Sequence, residues 1–188
     1  GCISSTKLNS ATTISDVERT RRRDEALEKL SDYGAPSKYK IGYLLSRHDF
    51  QTLEKWFENT LQRYKQDVQF EWYLSRAYNA FSEEVVTLND LDAWVASTGS
   101  YIAYAARGVH KAEQGFNARG TKFINETRPG QISEMQRYHE EAAKDLQTAI
   151  RKQPSLMPAY VWLINMAKSS DMPYTAKQIV QQAEEQDK

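Results

Sequence analysis

The chain has 188 residues, and its 25 lysines and arginines balance its 25 aspartates and glutamates, so the formal net charge is zero. Its length suits one domain or at most two small ones, and its 40% of apolar residues is enough for a hydrophobic core. No apolar run approaches the ~20 residues that span a bilayer. The balanced charge argues against non-specific nucleic-acid binding, which needs clustered positive charge. Glycine (8) and proline (5) are scarce, so turns should be few and elements long.

The single cysteine, Cys2, excludes an intramolecular disulfide. Residues 1–14 are mostly small and polar without a hydrophobic pattern, which predicts a flexible tether ahead of one all-helical domain over 15–188. Gly1-Cys2 resembles the end of a bacterial lipoprotein signal, in which Cys2 would become the acylated residue. That resemblance implies a lipid-anchored protein of the bacterial cell envelope that faces the periplasm.

Two other interpretations of the same residues stay open. Residues 1–5 also resemble a eukaryotic myristoylation start with Cys2 as a palmitoylated second signal, which would place the protein on the cytosolic face of a eukaryotic membrane. Alternatively, Gly1 is a cloning remnant before an ordinary cysteine. In both lipid interpretations the buried chain methylenes would hold the protein to the membrane by about 0.8 kcal/mol each.

Helical spacing of apolar residues begins directly after the predicted tether. Residues 15–33 predict a charged helix, and its basic run over 21–23 is a solvated face or, if Cys2 is lipidated, a contact with anionic headgroups. A short helix follows, and the next begins at Phe50 with Asp49 as its N-cap. The positions that support these helices are Leu27, Leu30, Tyr33, Ile41, Leu44, Leu45, His48, Leu53, Trp56, Phe57, Thr60 and Leu61.

Three further stripes follow in the middle of the chain. The first runs from Phe70 to Phe81, the second is short and opens at Thr87 or Asn89, and the third predicts one long helix from about 101 to 125, roughly 37 Å in length. The apolar positions are Phe70, Leu74, Ala77, Tyr78, Phe81, Leu88, Leu91, Trp94, Val95, Ile102, Ala105, Val109, Ala112, Phe116 and Phe123.

Proline positions organise the last third of the chain. Pro129-Gly130 ends the preceding helical region, and Ser133-x-x-Gln136 predicts a capping box for the next helix. Pro158 suits the first turn of another helix, and Pro173 predicts the start of the last. Since no stretch alternates with a period of two, the expected fold is all-α, an array of about nine helices with no sheet.

A period of 34 residues occurs in this part of the chain. The repeated positions are Ala142, Leu146 and Ala149 and, 34 residues later, Ala176, Val180 and Ala183. With Pro154 after the first set, this spacing resembles the tetratricopeptide repeat over about 142–186, although Ile164 stands where that family has glycine. The whole chain is similar to tetratricopeptide-like bacterial helical proteins of unknown function in its Asp49-Phe50 helix start and its two Ala-Arg-Gly segments. That similarity implies no activity.

The resemblance implies a binding surface on the helix after Pro158. In tetratricopeptide proteins the first helix of each repeat lines a concave groove for peptides. The expected core of that helix is Tyr160, Leu163, Ile164 and Ala167, and its opposite face carries Val161, Trp162, Asn165 and Lys168. Asn165 and Lys168 resemble the residues with which the family grips a peptide carboxylate. A plain solvent face, or packing against the last helix, is the alternative.

Histidines on the predicted helices raise the question of a metal site. His110 and Glu113 lie three residues apart, but metal-binding bundles use paired Glu-x-x-His motifs, and here the order is reversed and occurs once. We therefore expect a solvated polar face there and around His139, and a buried, hydrogen-bonded imidazole at His48. The chain also lacks a phosphate loop, a Gly-x-Ser-x-Gly motif and a cysteine nucleophile with a partner histidine, so we expect no catalytic residue, cofactor or metal.

Arg119 stands where the stepping of the long helix calls for an apolar residue. Gly108, Gly115 and Gly120 on the same helix each cost about 1 kcal/mol relative to alanine, which predicts that another helix packs closely there. An arginine at such a seam needs a carboxylate partner or a bound anion. We expect an internal ion pair or, as the functional alternative, a site for an anion or a partner carboxylate that Arg119 shares with Arg107 or Arg128.

Trp72 falls outside the apolar stripe of its helix, and Arg76 follows four residues later. This spacing predicts a cation–π pair at the surface. A partly exposed tryptophan can also anchor a protein interface.

These patterns together predict a non-enzymatic helical-repeat module that binds an unidentified protein or peptide and is tethered to a membrane through Cys2. Two alternatives stay open. One is a small-ligand or metal-dependent protein with a site near Arg107, His110, Glu113 and Arg119. The other is a specific inhibitor or immunity-type partner.

Overall fold

The computed structural model describes residues 15–29, 37–121, 126–169 and 172–186. Within those ranges the chain forms nine α-helices, two single-turn 3-10 helices and no strand, which confirms the all-α prediction. The α-helices are α1 (Asp16–Lys29), α2 (Lys38–Ser46), α3 (Phe50–Gln66), α4 (Glu71–Asn79), α5 (Leu88–Thr98), α6 (Tyr101–Arg119), α7 (Pro129–Lys152), α8 (Met157–Ser169) and α9 (Ala176–Gln186). The predicted tether with Cys2, and Leu30, Tyr33 and Phe123, lie outside the described residues. None of the helices described here combines the length and the apolar character that a membrane span requires.

Side-chain caps fix the starts of several of the described helices, among them α3, α5 and α6. The carboxylate of Asp49 accepts a hydrogen bond from the amide of Thr52 at 3.2 Å, at the start of α3. The hydroxyl of Thr87 accepts one from the amide of Asp90 at 3.3 Å, at the start of α5. The predicted N-cap Asp49 is therefore confirmed, and of the two candidates for α5 the cap is Thr87 and not Asn89. Ser100 caps α6 in the same way.

Aromatic side chains fill the core between α3, α4 and α5. Phe57, Phe81 and Trp94 are fully buried, and the ring centroids lie 5.5 Å apart for Phe57 and Phe81 and 5.9 Å apart for Phe81 and Trp94. The indole N–H of Trp94 donates to Glu54 at 3.0 Å, so its one polar atom is satisfied inside the protein. The predicted apolar positions that are buried here are Ile41, Leu45, Phe50, Leu53, Phe57, Thr60, Leu61, Leu74, Ala77, Tyr78, Phe81, Leu91 and Trp94.

The helices α6 and α7 form the most extensive contact in the described structure, and two glycines of α6 permit it. A Cβ atom at Gly108 would lie 2.7 Å from Cγ of Leu146 and 3.2 Å from the carbonyl oxygen of Ala142. A Cβ atom at Gly115 would lie 2.6 Å from Nε2 of His139. Such distances leave no room for a side chain. The prediction that glycines of this helix allow another helix to pack closely is confirmed for these two.

Two predicted helix boundaries in this hairpin are wrong. The helix α6 stops at Arg119, short of its predicted end, because Gly120 adopts a φ of +74° that ends the helix and that glycine adopts freely. Gly120 is therefore a cap rather than a packing glycine. The helix α7 begins at Pro129 and not at the predicted capping box, so Ser133 lies inside the helix. Proline suits the first helical position because its missing N–H would have no intrahelical acceptor there.

The 34-residue repeat does not give equal burial in its two copies. All three repeat positions of α7 are buried, whereas Val180, which corresponds to Leu146, is 41% exposed on α9. The helix α9 packs mainly on α8 and directs Ile179 inward instead. The prediction that Pro173 starts this helix is also wrong, because α9 begins at Ala176.

Replacing Gly108 by alanine should lower the free energy of unfolding by about 1–3 kcal/mol, because the new methyl group overlaps Leu146 and must push α6 and α7 apart. The matched control is Gly130→Ala, which adds the same group where nothing lies within 4 Å. That variant should keep the stability of the parent or gain up to about 1 kcal/mol. Urea denaturation followed by circular dichroism measures both, and equal stabilities of the two variants would contradict the close contact.

Candidate functional site

The helix α8 presents most of the predicted groove residues outward. Val161 is 46% exposed, and Asn165 and Lys168 are also exposed. Tyr160 and Leu163, two of the expected core positions, are buried beneath them. The predicted amphipathic division is present in part, because Ile164 and Ala167, the other two expected core positions, are half-buried and Met166 is buried instead.

Trp162 differs from the other three groove residues because it is half-buried and joins α8 to another helix. Its indole N–H donates a hydrogen bond to the side-chain oxygen of Asn79 at 3.2 Å, and Asn79 is the last residue of α4. Its ring also lies 6.5 Å from that of Phe116 on α6. These contacts place α4 beside α8, a neighbourhood that the sequence alone did not indicate.

The outward face of α4 continues the surface that begins on α8. Trp72, Arg76 and Asn79 follow one another at helical spacings of four and three, so they share one stripe of the helix. Trp72 is 55% exposed, and the guanidinium of Arg76 lies 5.0 Å from the centroid of its ring. The predicted surface cation–π pair is confirmed. We call the residues Trp72, Arg76, Asn79, Val161, Trp162, Asn165 and Lys168 the α4–α8 surface.

The α4–α8 surface combines exposed aromatic and aliphatic groups with amides and two cations, Arg76 and Lys168. None of its seven residues is acidic, and α8 contains no acidic residue anywhere along its length. Tryptophan and arginine are the residues most enriched at the energetic centres of protein interfaces. Such a surface suits a ligand that offers an apolar side chain next to a carboxylate.

Arg107 is a predicted anion-binding residue, but its guanidinium is already paired with carboxylates of the chain itself. Its Nε and Nη2 both lie 2.8 Å from the carboxylate of Asp145, and its Nη1 lies 2.9 Å from Asp92. The ammonium of Lys111 binds the same Asp145 at 3.1 Å. The hydrogen bonds that Arg107 donates to Asp145 raise the pKa of Arg107 above its usual value. Arg107 therefore forms an internal ion pair that ties α6 to α7.

Arg119 does not share a site with Arg107. The two lie twelve residues apart on α6, which corresponds to about 18 Å along the helix axis. Arg119 is half-buried, and its Nε has no hydrogen-bond partner among the described residues. The alternative in which Arg119 and Arg107 share one anion site is therefore wrong.

The solvated faces predicted around His110 and His139 are wrong, because both imidazoles are buried. His110 is 7% exposed, and its Nδ1 lies 3.0 Å from the carbonyl oxygen of Phe81. His139 is fully buried opposite Gly115, with its Nε2 3.2 Å from the carbonyl oxygen of Ala112. Burial lowers the pKa of both imidazoles. Their burial is not visible in the sequence pattern, because the backbone carbonyls beside these two imidazoles lie on other segments of the chain.

The burial predicted for His48 is also wrong. Its side chain is 52% exposed, while its Nε2 lies 3.0 Å from Asp90 and its ring stacks on Phe50 at 5.1 Å. The expected hydrogen-bonded imidazole is thus present, but at the surface. The cause is the backbone of His48, whose φ of +56° carries the residue out of the helical stripe.

His110 and Glu113, the polar pair on α6 considered as a metal site, lie in different surroundings. His110 bonds to the backbone, and Glu113 is half-buried with a pKa raised by burial and by the nearby charge of Glu83. The described part of the chain contains no group of three or more His, Cys, Asp or Glu side chains placed to hold a metal ion.

The ion pairs of Arg107 give a matched test of the α6–α7 contact. Asp145→Asn should destabilise the protein by about 3 kcal/mol, because it leaves two cations in a largely buried place without their shared carboxylate. Asp92→Asn removes the other carboxylate of the same guanidinium, but Asp92 is 52% exposed. Its cost should stay within about 1 kcal/mol. Thermal denaturation of the two variants would contradict this account if Asp92→Asn were the more damaging.

Comparison of the chain with protein-family models, with curated proteins and with solved structures found no match. The tetratricopeptide resemblance of residues 142–186 and the lipoprotein-like start at Cys2 therefore stay predictions.

Proposed function

We propose that this protein is a non-enzymatic binding module whose α4–α8 surface holds a protein or peptide segment with an apolar side chain next to carboxylates. The observation that carries the proposal is the hydrogen bond between Trp162 and Asn79, which joins the outward stripes of two helices into one surface. The tetratricopeptide resemblance supports it, since that family binds peptides along the corresponding helix face.

The chemistry of the surface supports this choice of partner. Arg76 and Lys168 can each donate charge-assisted hydrogen bonds to a carboxylate, and these bonds are stronger than neutral ones. Trp72 and Val161 are exposed by 55% and 46%, so they supply apolar area that a partner can cover. Asn165 adds an amide that can pair with an extended backbone.

Selection from a random peptide library on the immobilised full chain should enrich sequences with an aromatic or aliphatic residue near acidic ones. Arg76→Ala and Lys168→Ala should each raise the Kd for the selected peptide by about tenfold, because each removes a charge-assisted hydrogen bond of about 1.5 kcal/mol. Fluorescence anisotropy measures the Kd values.

The matched control for these variants is Lys55→Ala, which removes an exposed cation from α3. It should leave the Kd unchanged within about twofold. Equal losses for Lys55→Ala and Lys168→Ala, or selection of peptides without acidic residues, would contradict the assignment of the site.

We propose in addition that a lipid on Cys2 tethers the module to a membrane, in a bacterial envelope facing the periplasm. The mass of the N-terminal peptide from protein isolated from its native host tests this. A diacyl or triacyl Cys2 at the start of the chain is the expected result. A myristoylated Gly1 would move the protein to the cytosolic face of a eukaryotic membrane, and an unmodified Cys2 would contradict the tether.

A further inference from the structure

A cleft of about 440 Å³ opens between α6, the segment 82–88 and Tyr138 of α7. Its volume falls in the range of about 300–1,000 Å³ that is typical of small-ligand sites. Val86 and Leu88 give it an apolar wall, and polar side chains line the rest. None of the seven residues of the α4–α8 surface lines it, so it is a separate site.

A buried histidine with one unused nitrogen lines this cleft. The Nδ1 of His110 lies 3.0 Å from the carbonyl oxygen of Phe81. Because a carbonyl oxygen only accepts, Nδ1 carries the hydrogen, and Nε2 of the neutral ring keeps a free lone pair. This Nε2 has no hydrogen-bond partner among the described residues, although the side chain is more than nine-tenths buried. Nε2 is not one of the sealed polar atoms that lack a partner among the described residues, so it is open to the cleft and can accept a hydrogen bond from a ligand there.

The charges around the cleft favour a cation. Glu83 and Glu84 contribute carboxylates. Among the described residues that line the cleft, Lys111 is the only Lys or Arg, and it is already bound to Asp145 at 3.1 Å. The ammonium of Lys38, which does not line the cleft, lies 3.0 Å from Glu83. One of the carboxylates thus already attracts an alkyl ammonium group of the chain itself.

We infer that this cleft binds an alkyl guanidinium or alkyl ammonium group, such as an arginine or lysine side chain of a bound polypeptide. The cationic group donates a hydrogen bond to Nε2 of His110 and lies close to the carboxylates of Glu83 and Glu84. Its aliphatic stem packs on Val86 and Leu88. The inference does not rest on the proposed α4–α8 surface, which is cationic and suits the opposite kind of ligand.

The test uses N-acetyl-arginine amide as the probe and N-acetyl-citrulline amide, its uncharged isostere, as the control ligand. The full chain is labelled with ¹³C at histidine, so three imidazole signals report on three environments. We expect the signal of His110 to shift and saturate with a Kd of about 1 mM or tighter, while the signals of His48 and His139 stay in place. The citrulline compound should shift none of them.

Single substitutions test how much His110 and Lys38 each contribute to the affinity of the cleft for the probe. His110→Asn retains an N–H near Phe81 but lacks the Nε2 acceptor, so the affinity for the probe should fall by about tenfold. Lys38→Met removes the competing ammonium and should tighten binding by about two- to fivefold. His48→Asn and Arg76→Ala are the controls, and both should bind the probe as the parent does. Calorimetry measures the variants after circular dichroism has confirmed that they fold.

Three results would overturn the inference. The first is a His110 signal that does not move with the arginine probe. The second is an equal response to the citrulline compound. The third is unchanged affinity in Lys38→Met, a variant at the surface that does not depend on the folding of His110→Asn. Because Arg76→Ala affects only the α4–α8 surface, failure of one site is distinguishable from failure of the other.

Discussion

The close approach of α6 and α7 is the constraint on which the rest of the structure depends. It exists because Gly108 and Gly115 have no side chains where Leu146 and His139 lie against α6. The same approach brings Arg107 within 2.8 Å of Asp145 and lets one carboxylate serve two cations. Steric fit and charge pairing therefore act at the same α6–α7 interface. Both require the same alignment of α6 along α7.

This hairpin also positions the two candidate binding sites. Phe116 on α6 contacts Trp162, which in turn bonds to Asn79, so α8 and α4 are held beside the hairpin as one surface. On another part of α6, His110 bonds to the carbonyl of Phe81 and fixes the wall of the acidic cleft. The molecule thus presents a cationic, aromatic surface and an acidic cleft with an apolar wall.

Periodicity predicted the elements because the apolar stripe of a helix follows directly from its geometry. The all-α fold, the caps at Asp49 and Thr87 and the packing glycines Gly108 and Gly115 came from such local rules. Burial of His110 and His139 did not, because their partners are backbone carbonyls on segments about 30 residues away in sequence. A pattern shows that a residue is polar, but it does not show which distant carbonyl will satisfy it.

The candidate surface was predictable in part for the same reason. Val161, Asn165 and Lys168 follow from the outward face of one helix, whereas the contribution of Trp72 and Asn79 depends on a contact between residues 83 positions apart.

The most direct test places a photo-reactive benzoylphenylalanine at Val161, with Tyr39 on α2, 54% exposed, as the matched position. The account predicts strong cross-linking of the selected acidic peptide at position 161 and little at position 39. Equal yields at both positions, or none at 161, would contradict it.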